Sequence, residues 1–137
     1  MIKKRLVSSI IYKDDSVVQS FNYKTFLPIG SIESSVKNLN RWNADEILIL
    51  SIERSKKKIG PDFDLLKKIK NLNIETPIIY GGGISNLDDA KKVIALGADR
   101  IVVESIIDTN YSQFEEISKN IGKQSIILSM PLSINQD

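Results

Sequence analysis

Neither cysteine nor histidine occurs anywhere in the 137 residues. Without cysteine there are no disulfides and no thiolate metal sites. The absence of histidine removes the commonest acid–base group near neutral pH and the commonest metal ligand. Ser–His and Cys–His nucleophile arrangements are therefore impossible, and any catalysis falls to carboxylates, lysines or tyrosines. No metal and no cofactor is expected. A large excess of charge is missing too. Nineteen basic residues face seventeen acidic ones, a net charge of +2. That is too little to argue for nucleic acid or an anionic membrane as partner. The basic runs Lys3-Lys4-Arg5, Lys56-Lys57-Lys58 and Lys67/Lys68/Lys70 read as solvated surface. No apolar run reaches the roughly 18 residues that span a bilayer. A soluble, cytoplasmic protein is the expectation.

What the chain does contain is a regular alternation. Five apolar runs rich in β-branched residues read as strands, at Leu6–Ile11, Glu46–Ile52, Pro77–Tyr80, Arg100–Ile106 and Ser125–Met130. The stretches ILIL and RIVV are nearly continuous rather than alternating, as in parallel strands covered on both faces. Between them the apolar positions recur at helical spacing in Ile32–Trp42, Phe63–Leu72, Leu87–Leu96 and Ser112–Ile121. Asn86 is placed to cap the third of these helices and Gly97 to end it. The order predicts a parallel α/β fold. Tyr12–Gly30 is the one irregular connection, with Asp14-Asp15 as a turn and Val17–Tyr23 as an extended excursion. By size, residues 1–137 are one domain.

The chain also repeats itself. Ala44–Ile52 (ADEILILSI) aligns with Ala98–Ile106 (ADRIVVESI) at five identical positions of nine. Each copy follows an amphipathic helix closed by Asn43 or Gly97. Such duplication is what a barrel assembled from smaller pieces carries.

Three stretches, MIKKRLVSSIIYKDDSVVQ, ADEILILSI and PIIYGGGISNLDDAKKVIALGADRIVVES, together resemble the cyclase subunit of imidazole glycerol phosphate synthase. The segment IGPDFDLLKKI ahead of YGGGI is similar to a paralogous branch paired with an amidotransferase in acetamidino-sugar modification. The resemblance runs from Met1 to about Leu132. It implies half of a (β/α)8 TIM barrel, four βα units plus a fifth strand; an open flavodoxin-like parallel sheet is the alternative. Half a barrel leaves two sheet edges and an apolar inner face uncovered. A homo-oligomer, two copies around a twofold axis, would cover them.

The resemblance also implies a chemistry. The family's two catalytic carboxylates fall on Ile11 and Pro131, neither of which moves a proton, and two further family positions become Gln19 and Ser51. Asp14 and Glu53 are the weak substitutes. In the family, a phosphate of the substrate is held by the glycine turn and the end of the fourth strand. Here those positions are Gly82, Gly83, Glu104 and Ser105. Ser105 keeps a donor hydroxyl, whereas Glu104 sets a negative charge beside the phosphate. Gly83→Asp is expected to abolish binding with little loss of fold. The expected function is a phosphosugar-binding half-barrel without the family's catalytic carboxylates. The alternatives are an active ammonia-using subunit with a glutamine amidotransferase partner, or a structural subunit completing a barrel.

Overall fold

The computed structural model describes residues 4–130. It contains seven strands and six α-helices. These are β1 Val7–Lys13, β2 Ser16–Phe21, β3 Thr25–Gly30, α1 Ile32–Arg41, β4 Glu46–Ser51, α2 Arg54–Lys57 and α3 Phe63–Lys70. They continue with β5 Ile78–Gly81, α4 Leu87–Ala95, β6 Arg100–Val103, α5 Ser105–Thr109, α6 Tyr111–Ile121 and β7 Ile126–Leu128. One sheet runs in the order β3-β2-β1-β4-β5-β6-β7. Strands β1, β4, β5, β6 and β7 are parallel and follow one another in chain order.

That order decides between the two expected architectures. A flavodoxin-like sheet reverses direction after its second strand, which sends helices to both faces. Here every crossover steps the same way, and right-handed crossovers in one direction lay all the helices on one face. The core agrees. Ile10, Tyr12, Ile47, Ile49, Ile78, Tyr80, Ile101 and Val103 alternate along their strands and join one buried cluster with Ile32, Val36, Leu65, Leu66, Ile69, Ala90, Val93 and Ile117 from the helices. The opposite face is built of the intervening residues. Across it Ile11, Leu50, Gly81 and Val102 form one row. This is the wall of a barrel, helices outside and a second face inside.

The excursion after the first strand is more regular than the sequence indicates. Asp14 and Asp15 both take left-handed backbone conformations and return the chain directly, so that Lys13 pairs with Ser16. Two successive positive-φ residues are the hairpin turn that suits strand twist, and Asp tolerates it. Asn22 and Tyr23 repeat the device between β2 and β3. The predicted five-strand sheet is thus extended by an antiparallel hairpin to seven.

One strand is cut short and one helix is added. The fourth predicted strand ends at Val103 instead of Ile106, and Ser105–Thr109 form α5. Residues 54–57 make an additional short helix after β4.

Each half of the internal repeat is anchored in the same way. Asn43 and Gly97 are left-handed, and Ala44 and Ala98 are buried behind them. The Asp45 carboxylate accepts a bond from Leu6 N–H at 2.7 Å, and Asp99 one from Ile78 N–H at 2.8 Å. Each aspartate therefore grips the first residues of the neighbouring strand.

Candidate functional site

The C-terminal ends of the parallel strands form the rim where barrel enzymes keep their chemistry. At the end of β5 all three glycines are required by close approach. A Cβ on Gly81 would lie 2.9 Å from Val102 Cβ and 3.0 Å from Leu50 Cδ2. On Gly82 it would meet Ser51 O, and on Gly83 the Gly60 O, each at 2.2 Å. Gly82 and Gly83 also have φ of +136° and +76°, where side chains are strained. The Gly83→Asp expectation is therefore corrected: the loop after β4 already fills the space a side chain needs, so the substitution breaks packing. The Gly83 N–H donates to Ser55 Oγ at 3.1 Å.

The loop pressed against Gly83 is held by one cation. Arg54 donates to Gly60 O at 2.6 Å and Pro61 O at 3.3 Å, and bonds the Asp62 carboxylate at 3.1 Å. Below it lies the fully buried Tyr80, whose hydroxyl accepts from Asp62 N–H at 2.8 Å. Burial pushes the Tyr80 phenol up, against a smaller downward pull from that N–H. The signal for this contact in the sequence is Gly60-Pro61-Asp62, a turn with carbonyls to satisfy, six residues on.

Glu53 turns elsewhere. It lies in a left-handed conformation and pairs with Lys57 at 2.7 Å and Lys13 at 3.5 Å. Lys13 also holds Asp14 at 2.6 Å. The two substitute carboxylates thus share one lysine. The hydrogen bond from Lys57 holds Glu53 below its ordinary range, the bond from Lys13 does the same to Asp14, and Asp14 in turn raises Lys13. A carboxyl kept ionised in this way is a poor proton donor near neutral pH. The neighbouring Tyr12 phenol, buried and donating to Asp15 at 3.2 Å, is pushed far up, first by burial and then by the Asp15 charge.

At the end of β6, Glu104 and Ser105 are both exposed. Glu104 is no longer part of the strand. Its carboxylate accepts from Ser129 Oγ at 3.2 Å, and Ser105 begins α5. Glycine turn and Glu104-Ser105 end adjacent strands, β5 and β6, while Asp14 and Glu53 belong to the rim above β1 and β4. No hydrogen bond or ion pair among the described residues joins the two groups directly. Ile11 lies half-buried on the inner face, Gln19 is exposed on β2, and Ser51 is buried at the end of β4. Pro131 lies outside the described residues.

At the other end of the inner face is a charge cluster that sequence reasoning missed. Glu46, only 5% exposed, receives Arg5 at 2.8 Å and also pairs with Arg100. The available signal was a charged residue opening each of the strands EILIL and RIVV. Two cations on one buried carboxylate satisfy the charge that burial alone would leave uncompensated.

A parallel barrel wall with a glycine turn on its C-terminal rim defines the class of the fold. A family model described as histidine biosynthesis protein matches residues 5–133. The chain belongs to that family. Among curated proteins it is 27% identical over 130 residues to the putative imidazole glycerol phosphate synthase subunit HisF of Leptospira interrogans, covering 95% of this chain and 51% of that protein. It is 30% identical over 137 residues to imidazole glycerol phosphate synthase subunit HisF of Azobacteroides pseudotrichonymphae genomovar. CFP2, covering 100% and 54%. With the Hydrogenobaculum sp. (strain Y04AAS1) protein of the same name the identity is 32% over 130 residues, covering 95% and 51%. The chain spans about half the length of the curated relatives it matches.

Proposed function

We propose that this chain is a phosphosugar-binding half-barrel, one cytoplasmic domain over residues 1–137, in which Gly82, Gly83 and Ser105 hold the phosphate beside Glu104. The observation that carries this reading is the state of the Gly83 N–H. It points to a rotatable hydroxyl, Ser55 Oγ, rather than to a rigid carbonyl, and a hydroxyl yields to a stronger acceptor such as a phosphate oxygen. Glu104 adds a second support. Two like charges about 4 Å apart repel by roughly 4 kcal/mol at an effective dielectric near 20, and the turn of Glu104 onto Ser129 draws its charge aside.

The named relatives favour a second reading, an ammonia-using cyclase or lyase subunit served by a glutamine amidotransferase. It requires a proton-transferring pair, and the nearest carboxylates, Asp14 and Glu53, are tied down by Lys13 and Lys57. A purely structural subunit, completing a barrel with a partner, is the third. A thermal-unfolding titration with ribose 5-phosphate, run beside inorganic phosphate, tests the first reading. A ligand at about 100 times its Kd adds roughly 2.7 kcal/mol, so a saturable rise in Tm is expected. No rise at millimolar concentrations of either ligand overturns it.

A further inference from the structure

We infer that the N-terminal half of β1 is a docking edge for β7 of a second copy of this chain, the two strands running parallel. The inference rests on the reading of the chain as a half-barrel that pairs with itself, and adds which edges meet and which backbone groups bond.

The edge follows from the registers. Strand β1 pairs with β4 along Val7–Tyr12, but with the hairpin only at Ile11, Tyr12 and Lys13. Leu6 O and Tyr12 O both accept bonds from the β4 side, from Glu46 N–H and Ile52 N–H. By the alternation of a strand, the N–H and C=O of Val7 and Ser9 point the other way. Among the described residues no strand meets them there. Beyond Val18 the hairpin parts from β1 and leaves a groove of about 480 Å³, lined in part by Ser9, Ile10, Ser20, Ile29 and Trp42. Ile29 and Trp42 are 61% and 67% exposed, and the buried Ser20 Oγ in the same groove has no hydrogen-bond partner among the described residues.

A matching edge exists at the far end of the same sheet. Among the described residues, β7 is its last member and pairs with β6 on one side only. Ser129 N–H bonds Val103 O, so Ile127 shares that direction and the groups of Ile126 and Leu128 face outward. Outward groups at 126 and 128 bracket residue 127. Parallel pairing then sets Ile127 opposite Val7 or Ser9, with Ile126 C=O and Leu128 N–H bonded to that residue. This register keeps the inner face continuous, because Ile127 shares the row of Val102, and Val7 and Ser9 share the face of Ile11. Around a twofold axis each copy gives one β7 edge and takes one, so two identical contacts close a ring of ten parallel strands, five from each copy, rather than eight.

Sedimentation equilibrium at tens of micromolar should return twice the 15.4 kDa chain mass. Ser9→Pro removes one outward N–H and leaves the β4 ladder intact, a position where proline is tolerated. It should give a folded protein by circular dichroism with the mass of a single chain, and Leu128→Pro should do the same from the other side. A monomeric wild type, or both variants folded and still dimeric, overturns the proposal. Should the variants fail to fold, hydrogen exchange on the wild type reads the same bonds. The Ser9 amide, bonded to β7 in either pairing, should exchange at least tenfold more slowly in the dimer than after dilution to monomer; equally fast exchange in both overturns the proposal. Phosphate leaves these readouts unchanged, so loss of the phosphate reading and loss of the interface are told apart.

Discussion

Ala44–Ile52 and Ala98–Ile106 begin alike and end differently. At their starts the shared Ala-Asp gives the same result twice: a buried alanine, and an aspartate that grips the strand beside it. At their ends the shared Ser-Ile gives two results. Ser51 is buried at the end of β4, whereas Ser105 is exposed at the start of α5. The neighbours make the difference. Strand β1 runs on to Lys13, and its Tyr12 O takes the Ile52 N–H at 3.0 Å. Beside β6 the neighbours stop at Gly81 and Leu128, so nothing extends the strand past Val103. Identical residues keep one structure where the backbone partners repeat and lose it where they do not. The end that repeats is scaffold, and the end that diverges is the rim.

The comparison breaks most visibly at the rim. Gly83→Asp should destabilise by about 3 kcal/mol or more, since it combines overpacking with a strained backbone, and a urea midpoint measures it. At the opposite ends, Asp99→Ala should cost about 1–3 kcal/mol for the partly buried backbone donor it orphans, and Asp45→Ala about 1 kcal/mol or less, because water reaches the Leu6 N–H. Asp99→Ala should cost more, because its bond is partly buried and that of Asp45 is exposed. Equal losses would mean that burial does not distinguish the two anchors. Ligand binding should respond only to the divergent end: Glu104→Gln is expected to tighten phosphate about tenfold, read by the same thermal titration, while Asp45→Ala leaves the affinity unchanged.

The smallest effect concerns Asp14 and Glu53. Both are held below their unfolded values, so their contribution is present above those values and fades as pH falls through the depressed ones. Lys13 is raised, so its share is present up to its unfolded value and lost as pH climbs through the raised one. Asp14 is exposed and Lys13 and Glu53 are only partly covered, so solvent screening keeps the effect small. Asp14→Asn with Glu53→Gln should flatten the acid limb of a Tm against pH profile. An unchanged limb would remove this network from the stability of the rim.

Much of the wall was legible in the sequence because each signal is local. Continuous β-branched runs gave the parallel strands, and Asn86 caps α4 as its position indicates. Asp14-Asp15 marked a real turn. Long-range partners were illegible. Nothing within VVQSFNYKTFLPIG states that it pairs back onto β1, and the reading of RIVVESI as one strand failed because strand length is set by the neighbours. At the rim, glycine type and spacing located the turn but could not reveal that Ser51 O and Gly60 O lie where side chains would go. Arg54, Arg5 and Arg100 escaped for the same reason, their partners being six, forty-one and fifty-four residues away in the chain.

The sequential order of the sheet has a consequence for how the protein is made. From β4 onward each parallel strand lies beside the one completed just before it, and Asp45 and Asp99 each fasten to a strand already synthesised. A polypeptide leaving the ribosome N-terminus first can add its strands one at a time. None of them waits for a later partner within the wall, so growth of the nascent chain and growth of the sheet proceed in the same direction.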